Sequence, residues 1–204
     1  MDDLLSSECA SLPRLPPHPG VVVRTSNRGR SLCTRSGHVA GEVVLEHWGE
    51  RLGFAEAAAR VPPDHVMEVA DGEVFLASGD IDDYVNHSCE PNCRLDFRPD
   101  GRVFLVALRD IAAGEELSFD YATTTTLAGI AAFPGWRFAC LCGAPGCRGE
   151  VSCAEELPPE RRAFYEQVDA LAPHVRKALI TTQPMALELR LASLPTNPAA
   201  SPSG

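Results

Sequence analysis

Two short segments rich in polar and aromatic side chains stand about thirty residues apart, Asn86-His87-Ser88-Cys89-Glu90-Pro91-Asn92 and Glu116-Leu117-Ser118-Phe119-Asp120-Tyr121. Between them, Arg94–Phe97 and Arg102–Leu108 flank Pro99-Asp100-Gly101, whose turn chemistry predicts a hairpin. That hairpin brings the two segments side by side. Val103, Leu105 and Ala107 would face one side of its second strand and Phe104, Val106 and Leu108 the other. Apolar residues on both faces predict a central, buried strand.

The rest of the chain reads as short elements around this hairpin. Val21-Val22-Val23-Arg24-Thr25 is β-branched and runs into a turn at Ser26-Asn27-Arg28-Gly29, and a second strand is expected at Glu42–His47 after the Gly37 and Gly41 turns. Phe54–Arg60 is alanine-rich and stopped by Pro62-Pro63, which predicts a turn or two of helix. His65–Ala70 and Glu73–Ala77 alternate around Asp71-Gly72, a hairpin signal. Residues 122–139 hold four consecutive threonines, Gly129, Pro134 and Gly135, and predict a linker with an ordered piece near Trp136 and Phe138. After Pro158-Pro159, the spacing of Phe164, Val168, Leu171, Val175 and Leu179 predicts one helical face, with a further amphipathic piece from Pro184 to Leu194. A proline-rich leader over 1–19 and a small, polar tail over 195–204 are expected to be disordered.

At 204 residues the chain can bury one sizeable core with flanking extensions. Its formal charge of −10 and lack of a basic run argue against direct nucleic-acid binding. The same acidic surface suits a basic protein or peptide partner, and it serves solubility equally well. No apolar run approaches a membrane span and the N-terminus carries no export signal, so no membrane association and an intracellular location are expected, cytoplasmic or, in a eukaryote, nuclear.

Eight cysteines in a chain without an export signal read as thiols rather than disulfides. Cys140, Cys142 and Cys147 fall within eight residues, a close Cys-x-Cys-x4-Cys cluster that reads as metal binding. Structural Zn²⁺ takes four ligands in a tetrahedron, so a fourth must come from elsewhere.

Taken in order, the two polar segments and the stretch Cys140-Leu141-Cys142-Gly143-Ala144-Pro145-Gly146-Cys147-Arg148-Gly149 resemble SET-domain protein-lysine methyltransferases with a post-SET zinc segment. The close resemblance covers about half the chain. It implies a mostly β fold, the β-clip-like SET fold of several small sheets, here with a C-terminal helix and a zinc-bound post-SET segment. The organisation it implies is a SET domain over 20–121, a linker over 122–139, the zinc segment over 140–153 and a C-terminal helical extension over 154–194.

The implied activity is S-adenosyl-L-methionine-dependent N-methylation of a lysine in a protein or peptide, with Zn²⁺ as structural metal. By resemblance, Tyr121 supplies the hydroxyl that orients the amine and Phe119 leaves room for di- or trimethylation. Asn86 and His87 match residues that contact the methyl donor, and Arg28, Gly29 and Arg30 match the loop that approaches it. Trp136 and Leu141 are candidates to cover the adenine. The resemblance nominates Cys89 as the fourth ligand beside Cys140, Cys142 and Cys147.

Three positions depart from the family pattern. Ser31 replaces the second glycine of the Gly-x-Gly turn, where a β-carbon is expected to narrow the cofactor's approach. Asp83 stands where many members have arginine. His47 stands where the family has tyrosine, and it reads either as an active-site group or as a satisfied histidine at a strand end. Alternative readings are a catalytically impaired SET-derived binding module, motivated by these departures, and a redox or metal-storage protein, which leaves the Glu-Leu-x-Phe-Asp-Tyr segment unexplained.

Overall fold

The computed structural model describes residues 19–26 and 29–181. Arg28, all but the last residue of the expected leader, the Pro184–Leu194 piece and the expected tail lie outside the described residues.

Short strands dominate, as the frequent turn residues require. β1 (Val21–Ser26) pairs antiparallel with β2 (Gly29–Thr34), with Val21 opposite Thr34 and Ser26 opposite Gly29. The residue pattern does not mark β2, because Gly29, Arg30, Ser31 and Thr34 leave only Leu32 and Cys33 as apolar residues in it. Tertiary packing nevertheless buries Ser31, Leu32, Cys33 and Thr34.

β3 (Val43–His47), β4 (Arg51–Gly53), α1 (Phe54–Arg60), β5 (Val66–Ala70) and β6 (Glu73–Leu76) follow. Then come β7 (Asn86–His87), β8 (Cys93–Phe97), β9 (Val103–Ala107) and β10 (Ser118–Phe119). β5 and β6 form the expected hairpin, with Gly72 at φ +80° in its turn, and β4 pairs on the other side of β6. β9 is the middle strand of the sheet β3-β9-β8, and all five of its residues are buried. This is the central strand that its apolar faces predict. Leu32, Leu95, Leu105 and Leu117 meet in the main core.

Residues 122–139 are not a linker. Thr123, Thr124, Thr125 and Thr126 are all buried, and Thr126 caps α2 (Leu127–Ala132) by accepting a hydrogen bond from Gly129 N–H at 3.1 Å. Threonines read as loop formers when exposed. Here their hydroxyls bond within the fold, Thr123 to Asp120 O at 2.7 Å and Thr124 to Tyr121 O at 3.1 Å. β11 (Phe138–Ala139) then pairs with β12 (Glu150–Val151).

The expected single C-terminal helix is two. α3 (Pro159–Gln167) stops at Asp169, which takes a left-handed φ of 55°, and a second helical stretch is described over residues 173–181. Ala170 N–H closes back on Tyr165 O at 2.9 Å, the bond of a helix stop normally built around glycine. With no glycine there, periodicity alone ran through the break. The register therefore changes: Phe164 is 39% exposed, whereas Tyr165 is fully buried beside Leu171, Val175 and Leu179. No helix among the described residues is long and apolar enough to cross a membrane.

The second helical stretch packs against a buried acid. Glu68 on β5 accepts hydrogen bonds from Thr126 N–H and Oγ1–H, both at 2.9 Å, and lies 3.9 Å from His174 Nε2. Burial raises its pKa from 4.5 to about 7, against the pull of the Thr126 hydrogen bonds. The folded state thus holds this proton more tightly than the unfolded chain, so stability falls as pH rises from about 4.5 to about 7. The span corresponds to about 3 kcal/mol. Glu68→Gln is expected to flatten this slope in denaturant titrations between pH 5 and 8, and an unchanged slope would show that Glu68 titrates normally.

Candidate functional site: a cavity closed by a thiol cluster

The two polar segments meet edge to edge. β7 pairs in parallel with β10, Asn86 opposite Ser118 and His87 opposite Phe119. Asn92 fixes this pairing from behind, its amide donating to Glu116 O at 2.8 Å and its Oδ1 accepting from Ser118 N–H at 3.0 Å. Asn86 Nδ2 donates to Arg30 O at 3.1 Å and to Glu116 Oε1 at 2.9 Å, tying β2 to the same place.

Tyr121 follows β10. Its hydroxyl donates to Val85 O at 2.9 Å, and its ring packs 4.8 Å from Phe119, 5.4 Å from His87 and 6.5 Å from Trp136, centroid to centroid. Burial, with the Glu116 charge adding to it, pushes the phenol pKa above the usual tyrosine range. Tyr121 is therefore a neutral O–H at any physiological pH.

These residues wall a cavity of about 750 Å³, large enough for a nucleoside-sized ligand plus an extended side chain. Arg30, His47, Asn86, His87, Phe119, Tyr121, Trp136, Leu141 and two of the thiols, Cys140 and Cys142, all line it. Trp136 is 9% exposed and packs edge-on against Phe138, whereas Leu141 is 71% exposed.

His87 spends both ring nitrogens inside the protein: Nδ1 accepts from Tyr121 N–H at 3.2 Å, and Nε2 lies 3.3 Å from Cys89 Sγ. Burial outweighs the nearby Asp120 charge and lowers its pKa to about 4, so the ring is neutral with its proton on Nε2, donated toward sulfur.

The sulfur atoms of Cys89, Cys140, Cys142 and Cys147 lie within 4.8 Å of one another, and Cys89 and Cys140 are 3.7 Å apart. A tetrahedral Zn–S site with bonds of about 2.3 Å has sulfur–sulfur edges of about 3.8 Å. The donor set thus fits Zn²⁺. The backbone N–H groups of Arg148 and Gly149 point at Cys89 Sγ and Cys147 Sγ, each at 3.4 Å, as thiolate ligands require. Burial opposes ionisation of Cys142, but hydrogen bonds from the Cys89 and Ala144 backbone help draw its thiol down to about 7. The remaining described cysteines, Cys33, Cys93 and Cys153, are free and buried.

A buried carboxylate ties this cluster to the rest. Asp120 receives both arms of the Arg148 guanidinium at 2.6 and 2.8 Å and the Tyr165 hydroxyl at 2.7 Å. One acid between Phe119 and Tyr121 therefore joins the cavity wall, the thiol segment and α3. Neither partner could be named from the sequence, since they lie 28 and 45 residues away.

The three departures are placed as follows. Ser31 is turned into the core, its Oγ 3.8 Å from Cys33 Sγ, and does not line the cavity. Its β-carbon therefore does not narrow the cavity. Gly29, at φ +96°, lies outside the wall, while Arg30 lies in it and donates to the Tyr84 hydroxyl at 2.8 Å. Asp83 accepts from Ser78 N–H at 2.8 Å and Gly79 N–H at 2.7 Å, capping the loop that leads into β7. His47, at the end of β3, faces Asp82, with Nδ1 to Oδ2 3.5 Å.

Comparison with known proteins agrees with this arrangement. The SET domain family model matches residues 29–122. A histone-lysine N-methyltransferase, H3 lysine-36 specific, of Mus musculus is 33% identical over 151 residues, 68% of this chain and 6% of that protein. The human protein of the same name is 33% identical over 151 residues, 5% of its length. A histone-lysine N-methyltransferase, H3 lysine-4 specific, of Saccharomyces cerevisiae is 32% identical over 144 residues, 64% of this chain and 13% of that protein. The chain thus spans a small fraction of the relatives it matches. With two paired motifs at a tyrosine-walled cavity and a family match over the same elements, residues 29–122 of this chain are a SET domain.

Proposed function

We propose that the protein transfers methyl groups from S-adenosyl-L-methionine to a lysine side chain of a protein or peptide. The observation that carries this is the half-buried Tyr121, its hydroxyl held on Val85 O in the wall of a cavity shared with Asn86, His87 and Phe119. Methyl transfer is an in-line displacement that needs little covalent chemistry from the protein. Alignment of nucleophile and methyl carbon can contribute about 7–11 kcal/mol. The aromatic wall of Phe119, Tyr121 and Trp136 excludes water, and a neutral amine forms more readily there than in solvent.

In this reading Asn86 and His87, with Arg30 on the facing strand, hold the methyl donor, and Trp136 and Leu141 cover its adenine. Because both His87 ring nitrogens are occupied within the protein, its contact with the donor is through main chain and ring carbons. Cys89, Cys140, Cys142 and Cys147 hold a structural Zn²⁺ whose contribution is to clamp the late segment over the cavity. Asp64, Asp83 and Glu116 on the cavity wall favour a basic segment around the target lysine, and an intracellular, in eukaryotes nuclear, setting suits such a substrate.

Incubation with S-adenosylmethionine carrying a labelled methyl group and core histones or a cell lysate is the direct test. Label on a lysine supports the reading, and none on any protein, with labelled cofactor bound, leaves a binding module. Phe119 is buried against Tyr121, with no hydroxyl to anchor a water in the space an extra methyl needs. Mass spectrometry is therefore expected to find di- or trimethylated product, shifting to monomethyl in Phe119→Tyr. Monomethyl product alone from the wild type would overturn this.

A further inference from the structure

We propose that His47, backed by Asp82, accepts the proton of the incoming lysine ammonium; the inference rests on reading the cavity as a lysine-methylation site. His47 lines the cavity, and its Nδ1 faces the nearly fully buried Asp82 carboxylate at 3.5 Å without a well-formed hydrogen bond. Asp82 is itself fixed, Oδ1 accepting from the Ser78 hydroxyl at 2.6 Å and Oδ2 from Trp48 N–H at 3.1 Å. With Nδ1 against Asp82, Nε2 is the ring nitrogen left for a ligand in the cavity.

One short turn of helix sets the distance between this pair and Tyr121. Asp82 belongs to the 3-10 helix Ile81–Tyr84, which ends when Val85 N–H bonds Asp82 O at 3.3 Å. Val85 O is the acceptor of the Tyr121 hydroxyl. At about 2 Å rise per residue, Asp82 and Val85 are about 6 Å apart along that turn. Imidazole and phenol are therefore anchored at the two ends of one turn and wall the same cavity.

The chemistry balances with these groups. The lysine ε-ammonium gives one proton to His47 Nε2, making an imidazolium that Asp82 stabilises, as carboxylate–histidine pairs do. The freed lone pair forms the N–C bond to the sulfonium methyl, the S–C bond breaks, and its electron pair stays on sulfur as a neutral thioether. The proton then leaves His47 for solvent through the cavity mouth. Tyr121, with its phenol pKa raised by burial, orients the amine but does not take this proton.

The groups facing His47 agree with such a role. Burial lowers its pKa, which keeps the ring neutral and able to accept, and the negative charges of Asp82 and Asp83 partly restore its basicity. On the sheet side its neighbour is the apolar Val103 of β9, and besides Asp82 and Asp83 the charged or titratable groups on the cavity wall are Arg30, Asp64, His65, Tyr84, His87, Glu116, Tyr121, Cys140 and Cys142.

The test measures one titration in two ways. In the wild-type full chain, the His47 imidazole titration followed by NMR and the acid limb of kcat/KM on core histones are expected to coincide. Both should move to lower pH in Asp82→Asn. His47→Phe is expected to lower kcat about 100-fold at pH 7 and to recover to within several-fold at pH 10, near the free lysine pKa. Should Asp82→Asn not fold, His47→Gln, which keeps a polar side chain but supplies no base, is expected to show the same alkaline recovery. A limb that ignores the His47 titration, or variants losing activity equally at every pH, would overturn the proposal while leaving the methylation reading intact. No turnover by wild type at any pH would instead remove that reading, and this inference with it.

Discussion

Tyr121→Phe is expected to cut methyl transfer to lysine by about 100- to 1,000-fold while leaving donor binding nearly unchanged. The phenol proton is committed to Val85 O, so the hydroxyl oxygen faces the cavity as an acceptor for an amine N–H. Losing one such positioned polar group typically costs about 3–4 kcal/mol of transition-state stabilisation. The fold should tolerate the change, since one hydrogen bond contributes about 1 kcal/mol and Phe preserves the packing on Phe119 and Trp136. Single-turnover kinetics with titration calorimetry of S-adenosylmethionine separate the two effects. A variant that turns over within threefold of wild type would show that the hydroxyl does not orient the amine.

Removing the metal is expected to be more damaging still. One zinc per chain should be found by metal analysis of purified protein, and Cys89→Ser or prolonged chelation should release it and abolish both donor binding and turnover. Four thiolates that close only in the folded state convert metal affinity, about 10–16 kcal/mol in small zinc sites, into folding energy. Here a bound ion would hold residues 138–151 against the cavity, because Cys89 lies beside β7 while the other three cysteines follow β11. Without the ion, Arg148 still reaches Asp120, but four thiols crowded within 4.8 Å would have to separate or oxidise. Protein free of metal yet fully able to bind the donor would rule out the clamp.

Much of this was legible in the residues. The turn at Pro99-Asp100-Gly101 and the two-faced apolar run specified β8 and β9, because a strand buried on both sides cannot alternate in polarity. Asp71-Gly72 specified the β5–β6 hairpin through the left-handed conformation glycine allows. The spacing of Cys140, Cys142 and Cys147 pointed to a metal cluster, the family resemblance supplied Cys89, and the four sulfurs do converge. What was missed shares one cause. The buried threonines of 123–126, the helix stop at Asp169 and the strand at Gly29–Thr34 are sequences whose local preference is overridden by distant packing.

By itself, then, the chain's sequence determined its main hairpins and the local trio Cys140, Cys142 and Cys147, since each depends on neighbours within a few residues. Only the tertiary structure decided that Asp120 joins Arg148 to Tyr165, that Glu68 lies buried under Thr126, and that Asp82 stands behind His47. Those pairings link side chains 28 to 58 residues apart. No local pattern encodes them, because a buried charge finds its partner through the packing of whole elements.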